Sequence, residues 1–196
     1  MKYEEITLFD GTTLVAGASS AAFNLTHYLG YSVQFIADDT TPAPGAFTAA
    51  ATNICTKAAH GYTTGLQVSV ASDNTLPGGL AALPTVYYVV KLSANTFSLS
   101  DSYAHAIAGT DIVDITSTGT GTHTITPTAI GTSSVKLECS NDGATWDDVA
   151  SGSFNITADI DKVLNFSGIY YKFVRATFAI TAGQVALTGL LLAKGD

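Results

Sequence analysis

The sequence predicts an all-β protein: an antiparallel β-sandwich with a small β domain inserted between two adjacent strands. Three observations carry that expectation. Hydrophobic residues make up 46% of the 196 and charged residues only 12%, a composition that folds and that lacks the Glu, Lys and Arg of wet helix faces. Apolar and polar residues alternate in Tyr31-Ser32-Val33-Gln34-Phe35 and in Val135-Lys136-Leu137-Glu138-Cys139, as in strands with one face on a core and one in solvent. Between these stretches, Pro42-Ala43-Pro44-Gly45 and Pro127-Thr128-Ala129-Ile130-Gly131 bracket a second strand-rich region.

The outer sandwich is assigned to residues 1–45 and 128–196, the insert to 46–127. Outer strands are expected at Ile6–Phe9, Ala22–Leu25, Tyr31–Ala37, Val135–Cys139, Val163–Phe166, Tyr171–Phe178 and Val185–Leu192. Insert strands are expected at Asn53–Thr56, Leu66–Ala71, Tyr87–Leu92, Thr96–Leu99 and Ile112–Ile115. A domain grown from a connecting turn adds little loop-closure entropy, so the strands flanking it are expected side by side in one sheet. Ser102–Ala108 suits two helical turns, with Asp101 or Ser102 as N-cap and Gly109 as the stop.

Charge and motif spacing narrow the function classes. A net charge of -8 opposes nucleic-acid binding, which needs Lys and Arg to displace counterions. The most apolar run, Val185–Ala193, is half the length of a membrane span, and the acids Glu4 and Glu5 stand where a secretory signal would be basic. Neither membrane nor signal peptide is therefore expected. Cys55 and Cys139 lack metal spacing and read as two buried free thiols, with a disulfide between them as the alternative. His27, His60, His105 and His123 are scattered without ligand spacing, and no Gly-x-Ser-x-Gly accompanies them. His60 is read as opening a tight turn, and Gly119-Thr120-Gly121-Thr122 as a strand connector, because no Lys follows it. The chain is expected to be no enzyme and to need no cofactor; paired acids such as Asp111 with Asp114 read as solvated groups.

Five short motifs of the insert are His60-Gly61-Tyr62-Thr63-Thr64-Gly65, Leu76-Pro77-Gly78-Gly79-Leu80, Tyr87-Tyr88-Val89-Val90, Asn95-Thr96-Phe97-Ser98-Leu99 and Gly119-Thr120-Gly121-Thr122-His123. In order and spacing they resemble a small β module of phage tail and other virion proteins. The outer domain, with Ser140-Asn141-Asp142-Gly143-Ala144-Thr145-Trp146 and Tyr170-Tyr171-Lys172-Phe173-Val174-Arg175, is similar to single-sandwich phage structural proteins of discoidin-like or jelly-roll appearance. The resemblance implies a bacteriophage virion structural or accessory protein, of head decoration or cement type, assembled in the host cytoplasm. Its partners would be other capsid or tail subunits and further copies of itself, a trimer among the options. The alternative is a tail, baseplate or fibre component, including a glycan-binding host-recognition module.

Within that frame Asn141, Asp142, Trp146 and Tyr170 are the candidate contacts for a partner or a glycan. Asn and Asp tolerate positive φ and Gly adopts it freely, so residues 140–146 read first as a tight hairpin turn that lets Trp146 cover the sandwich edge. Calcium held by Asp142, Asp147 and Asp148 is the weaker reading, since one acid plus an adjacent pair does not surround an ion. Tyr171 and Phe173 share one face of their strand, Lys172 and Val174 the other, and one set of rings is expected in the core. Arg175, on the parity of Phe173, would then point inward and need a carboxylate.

Overall fold

The computed structural model describes residues 3–168 and 170–195. Met1, Lys2, Ile169 and Asp196, which the expected domain limits include, lie outside these. The strands in chain order are β1 (Tyr3–Leu14), β2 (Ala18–Ser19), β3 (Phe23–Asn24), β4 (Tyr28–Asp39), β5 (Gly45–Ala50), β6 (Ile54–Thr56), β7 (Gln67–Ser72), β8 (Tyr87–Lys91) and β9 (Thr96–Ser100). The helix α1 (Tyr103–Ala108) precedes β10 (His123–Pro127), β11 (Ser133–Ser140), β12 (Asp147–Ile156), β13 (Ile160–Ser167), β14 (Phe173–Ile180) and β15 (Val185–Gly195). The residues group into two compact units: 1–40, 130–181 and 185–196 form the first, 41–129 with 182–184 the second.

The first unit is a sandwich of two antiparallel sheets, one ordered β1-β15-β4-β13, the other β12-β11-β14-β2 with β3 also on β14. The alternation read from the sequence decides which side chains meet between them. Tyr31, Val33, Phe35 and Ala37 of β4 are buried with Val185, Leu187, Leu191 and Ala193 of β15, against Val135 and Leu137 of β11 and Val174, Ala176 and Phe178 of β14. Phe35 packs on Phe154 of the opposite sheet with ring centroids 5.6 Å apart. Removing each such ring from water contributes about 1.5–3 kcal/mol.

Gly189 of β15 lies opposite Phe35 on one side and Phe9 on the other. A β-carbon there would stand 2.9 Å from the Phe35 ring and 3.2 Å from that of Phe9. The two rings fill the space a side chain would take.

Three expectations are corrected. The strands flanking the insert, β4 and β11, belong to different sheets and are not side by side. The reason is that β4 is already paired along both edges, by β15 and β13, so no edge is left for β11. The core face of β14 carries Val174, Ala176 and Phe178, while Phe173 and Arg175 face outward. Alternation does not run through Lys172, which precedes the strand and donates its backbone N–H to Ser140 O at 3.1 Å. Finally, Ile112–Ile115 forms no strand beyond an isolated bridge from Ile112 to Ser100; Ile115 is buried while its N–H donates to Asn53 Oδ1.

The second unit is a closed six-stranded barrel, β10-β5-β6-β9-β8-β7, around Phe47, Cys55, Val68, Val70, Val89, Phe97, Leu99 and Ile125. β5, β10 and, in the sandwich, β2 and β12 are strands that patterning did not reveal. α1 matches its caps: the Ser102 hydroxyl accepts the His105 N–H, and Gly109 ends the helix at φ 68°. Both cysteines are free, Cys55 buried and Cys139 only partly so, against the expectation that both are buried.

Two outcomes test this packing. Gly189→Val should destabilise the first unit by roughly 1–3 kcal/mol, read from urea unfolding, because two aromatic rings must leave their rotamers. Replacing residues 47–126 by a short Gly-Ser linker should leave a cooperatively unfolding β-sandwich, read by circular dichroism and thermal melting.

Candidate functional site

The segment Asn141–Trp146 joins β11 to β12 and is built around one carboxylate. Asp142 Oδ1 accepts the N–H of Ala144 at 2.8 Å, that of Thr145 at 2.8 Å and the Ser140 hydroxyl at 2.9 Å. These donors, the Thr145 amide foremost, hold the Asp142 carboxyl down at about 2. The Ser140 hydroxyl oxygen accepts from Gly143 N at 2.9 Å, and Gly143 alone in the turn takes a positive φ, 76°. Asn141 and Asp142 thus serve as acceptors where positive φ was anticipated. Asn141 Oδ1 accepts the Lys172 N–H at 3.1 Å, tying the loop to the start of β14.

Beside the loop, the outer face of the sheet carries a charged ladder. Glu138 and Arg175 are cross-strand neighbours, and Arg175 reaches Glu138 Oε2 through Nε at 2.8 Å and Nη2 at 2.7 Å. Lys136 Nζ lies 3.0 Å from Glu138 and 2.8 Å from Asp148. Burial raises the Glu138 carboxyl, but the two cations outweigh it and its pKa is lowered. The Arg175 guanidinium sits 4.1 Å from the centroid of the Trp146 ring. Arg175 thus has the carboxylate it was expected to need, on the outer face.

These contacts decide what the candidate residues can do. Asn141 and Asp142 line a small cleft of about 220 Å³ with Asp147 and Tyr171, and Trp146 and Tyr170 do not. Trp146 rests against Arg175 on the ladder, where one ring face is taken. Tyr170 is 91% exposed. Asp148 is committed to Lys136, and among the described residues no group of three or more His, Cys, Asp or Glu is placed to hold a metal ion. Sequence reasoning missed the Glu138–Lys136–Asp148 cluster and the bonded hydroxyls of Tyr31 and Tyr171. The only signal for the ladder is that Lys136 and Glu138 share a strand face, and the register that brings Arg175 to them is a tertiary property.

In the second unit the motif residues likewise serve closure. His60 Nδ1 accepts the Tyr62 N–H at 2.9 Å, which puts the ring proton on Nε2, where it is donated to Ser93 O at 3.0 Å. His60 is almost fully buried, and burial lowers its pKa. Its ring lies tilted against Tyr62 at 4.7 Å and edge-on to Phe97 at 5.3 Å between centroids. Gly79 has φ 92°, and a β-carbon there would collide with Asp114 O at 1.9 Å, so the Leu76-Pro77-Gly78-Gly79-Leu80 motif marks a close backbone crossing. An open groove of about 740 Å³ runs between β5 and Thr118–Thr122. The N–H of Thr120 is taken by Thr75 O and that of Thr122 by Asp73 Oδ1, so this glycine-rich stretch offers neither amide to a phosphate. No helix among the described residues is long and apolar enough to cross a membrane.

No protein-family model matches the chain, and no curated protein sequence matches it. Among solved structures, it is similar to the SPBc2 prophage-derived protein YomS, at 8% identity and a TM-score of 0.30 over 97% of this chain and 93% of that one. It is also similar to the complex of VP16 and VP17, the two major capsid proteins of bacteriophage P23-77, at 10% identity and a TM-score of 0.27 over 100% and 99%. Likeness of this size carries no argument about fold or role, which rest on the chain's own residues.

One titration tests both anchors. The unfolded chain takes up a proton on His60 near pH 6.5, before the folded chain does, so stability is expected to fall as pH drops below that value. Asp142 contributes stability above its unfolded value near 4, and that contribution is lost as pH falls towards 2. Melting temperatures measured from pH 7 to 2 should show a shallower fall between 7 and 5 in His60→Gln. Asp142→Asn should leave that range unchanged and lose part of the fall between 4 and 2.

Proposed function

We propose that this chain is a non-catalytic structural or accessory protein of a bacteriophage particle, of head decoration or cement type, which works by presenting rigid β surfaces to other virion subunits. The observation that supports this reading is that Asp142, His60 and Trp146, three of the side chains best suited to chemistry or recognition, are engaged by partners within the chain. Asp142 uses Oδ1 on its own turn, His60 uses both ring nitrogens on backbone partners, and Trp146 lies against Arg175. In a chain whose motifs resemble those of virion modules, that leaves surface, not a reactive centre, as the working part. Affinity from many repeated contacts suits such a protein, because multivalent docking needs no tight single site. Tail, baseplate or fibre placement would use the same surfaces.

Mass spectrometry of particles produced from the encoding genome should find the chain at many copies per particle, and its absence from washed particles would refute the role. Titrating host polysaccharide should leave Trp146 fluorescence unchanged. A saturable change abolished by Trp146→Ala, with the fold intact by circular dichroism, would establish glycan recognition in its place.

A further inference from the structure

An aspartate followed by glycine is open to attack by its own main chain, because glycine places no side chain beside its nitrogen. The chain holds two such pairs, Asp10-Gly11 and Asp142-Gly143, and no Asn-Gly. The reaction needs no co-reactant but water. The glycine nitrogen attacks Cγ of the preceding carboxyl group, a C–N bond forms, and the amide proton leaves with the carboxyl hydroxyl as water. Water then opens the five-membered succinimide. Opening at the main-chain carbonyl leaves the chain running through Cγ, an isoaspartate, with no net change in atoms or electrons.

The fold treats the two pairs differently. At Asp142-Gly143 both reacting groups are held. The Gly143 N–H donates to the hydroxyl oxygen of Ser140, itself almost fully buried, at 2.9 Å, so the nitrogen is engaged where it would attack. Asp142 Oδ1 accepts the Thr145 and Ala144 N–H groups and the Ser140 hydroxyl, and these donors favour the ionised carboxylate, which has no hydroxyl to lose. Asp10-Gly11 lies in β1, an outermost strand of its sheet. The ladder with β15 pairs Asp10 with Thr188 and resumes at Thr13 with Ala186, so Gly11 and Thr12 stand outside it in a bulge. Asp10 is exposed, and Oδ1 accepts the N–H of Thr12 at 3.0 Å and the Thr12 hydroxyl. These bonds also lower the Asp10 pKa, the hydroxyl foremost, but both come from the bulge itself and move with it.

We propose that Asp10-Gly11 is a site of spontaneous isoaspartate formation in the folded protein, and that Ser140 shields Asp142-Gly143 from the same reaction. Isoaspartate adds one atom to the main chain. At Asp10 that atom enters a bulge, where the ladder already carries an unpaired stretch, and the strand pairs on either side are kept. At Asp142 it would break the bonds from Ser140, Ala144 and Thr145 that close the loop between β11 and β12. The chemistry is independent of the virion reading.

Peptide mapping by mass spectrometry of the full chain, kept folded at neutral pH in heavy-oxygen water, tests it, because each succinimide that reopens takes up one labelled oxygen. Asp10 is expected to gain label about tenfold faster than Asp142, the factor that a retained hydrogen bond of ordinary net strength adds to a barrier. In urea, where both settings are lost, the two rates should converge. Ser140→Ala should speed labelling at Asp142 towards the urea rate, and Ser140→Thr, which keeps the hydroxyl, should not, with both variants folded by circular dichroism. Equal rates at the two sites in the folded chain, or label at Asp10 only after unfolding, would overturn the assignment of Asp10. A rate at Asp142 unmoved by Ser140→Ala would overturn the role of Ser140.

Discussion

The twelve residues of β4 are the strand on which the sandwich depends, because both of their edges are used. β15 pairs with them from Gly195 at Tyr28 to Val185 at Asp39, and β13 pairs on the other side from Ser167 at Gly30 to Ile160 at Ala37. A strand flanked in this way cannot turn back into a hairpin with the next segment. The chain leaving Asp39 must therefore reach the other sheet, and it is in this sheet-to-sheet connection, between Asp39 and Ser133, that the second unit grows. Long insertions are tolerated at such connections because closure entropy rises only slowly with length.

The double pairing also fixes which faces are buried. With Val33, Phe35 and Ala37 facing inward, the neighbouring positions of β15 must be Leu187, Gly189 and Leu191, and Gly189 is where two aromatic rings cross. A one-residue slip would place Gln34 and Ser32 in the core, so the alternation and the register enforce one another.

That coupling explains what the sequence could and could not disclose. Period-2 alternation exposes a strand and its buried face, and it located β4, β11 and β15 within their observed limits. It carries no information on sheet membership, because a core-facing residue looks the same from either sheet; hence the mistaken hairpin of β4 with β11. β12 escaped notice because Asp147-Asp148-Val149-Ala150-Ser151-Gly152 puts only Val149 and Gly152 inward around a register shift, which erases the period. The inner face of β14 was misassigned for a related reason: Tyr171 lies before the strand and makes its contact through a hydroxyl bond to Tyr31, so counting from it gives the wrong parity. At the candidate site, Asn141 and Asp142 were legible as turn residues, since a carboxylate beside Gly suits such a loop. The destination of Trp146 was not legible, since it depends on Arg175, twenty-nine positions away and set in place by Glu138 across the strand pair.

The limits of the second unit show the same dependence on distant residues. Its motif His60-Gly61-Tyr62-Thr63 is completed from the far end of the chain: Gln184, nearly fully buried, accepts the Thr63 N–H with Oε1 at 3.2 Å and donates Nε2 to Gly61 O at 3.2 Å. Its own N–H donates to the Thr41 hydroxyl at 2.9 Å. A buried backbone amide without a partner costs about 1–3 kcal/mol, so these bonds are why residues 182–184 group with the barrel and not with the strands that flank them in sequence. The inserted unit is therefore not a contiguous segment. Proline and glycine mark where its main chain enters and leaves, but the third piece is recognisable only from the polar groups it satisfies.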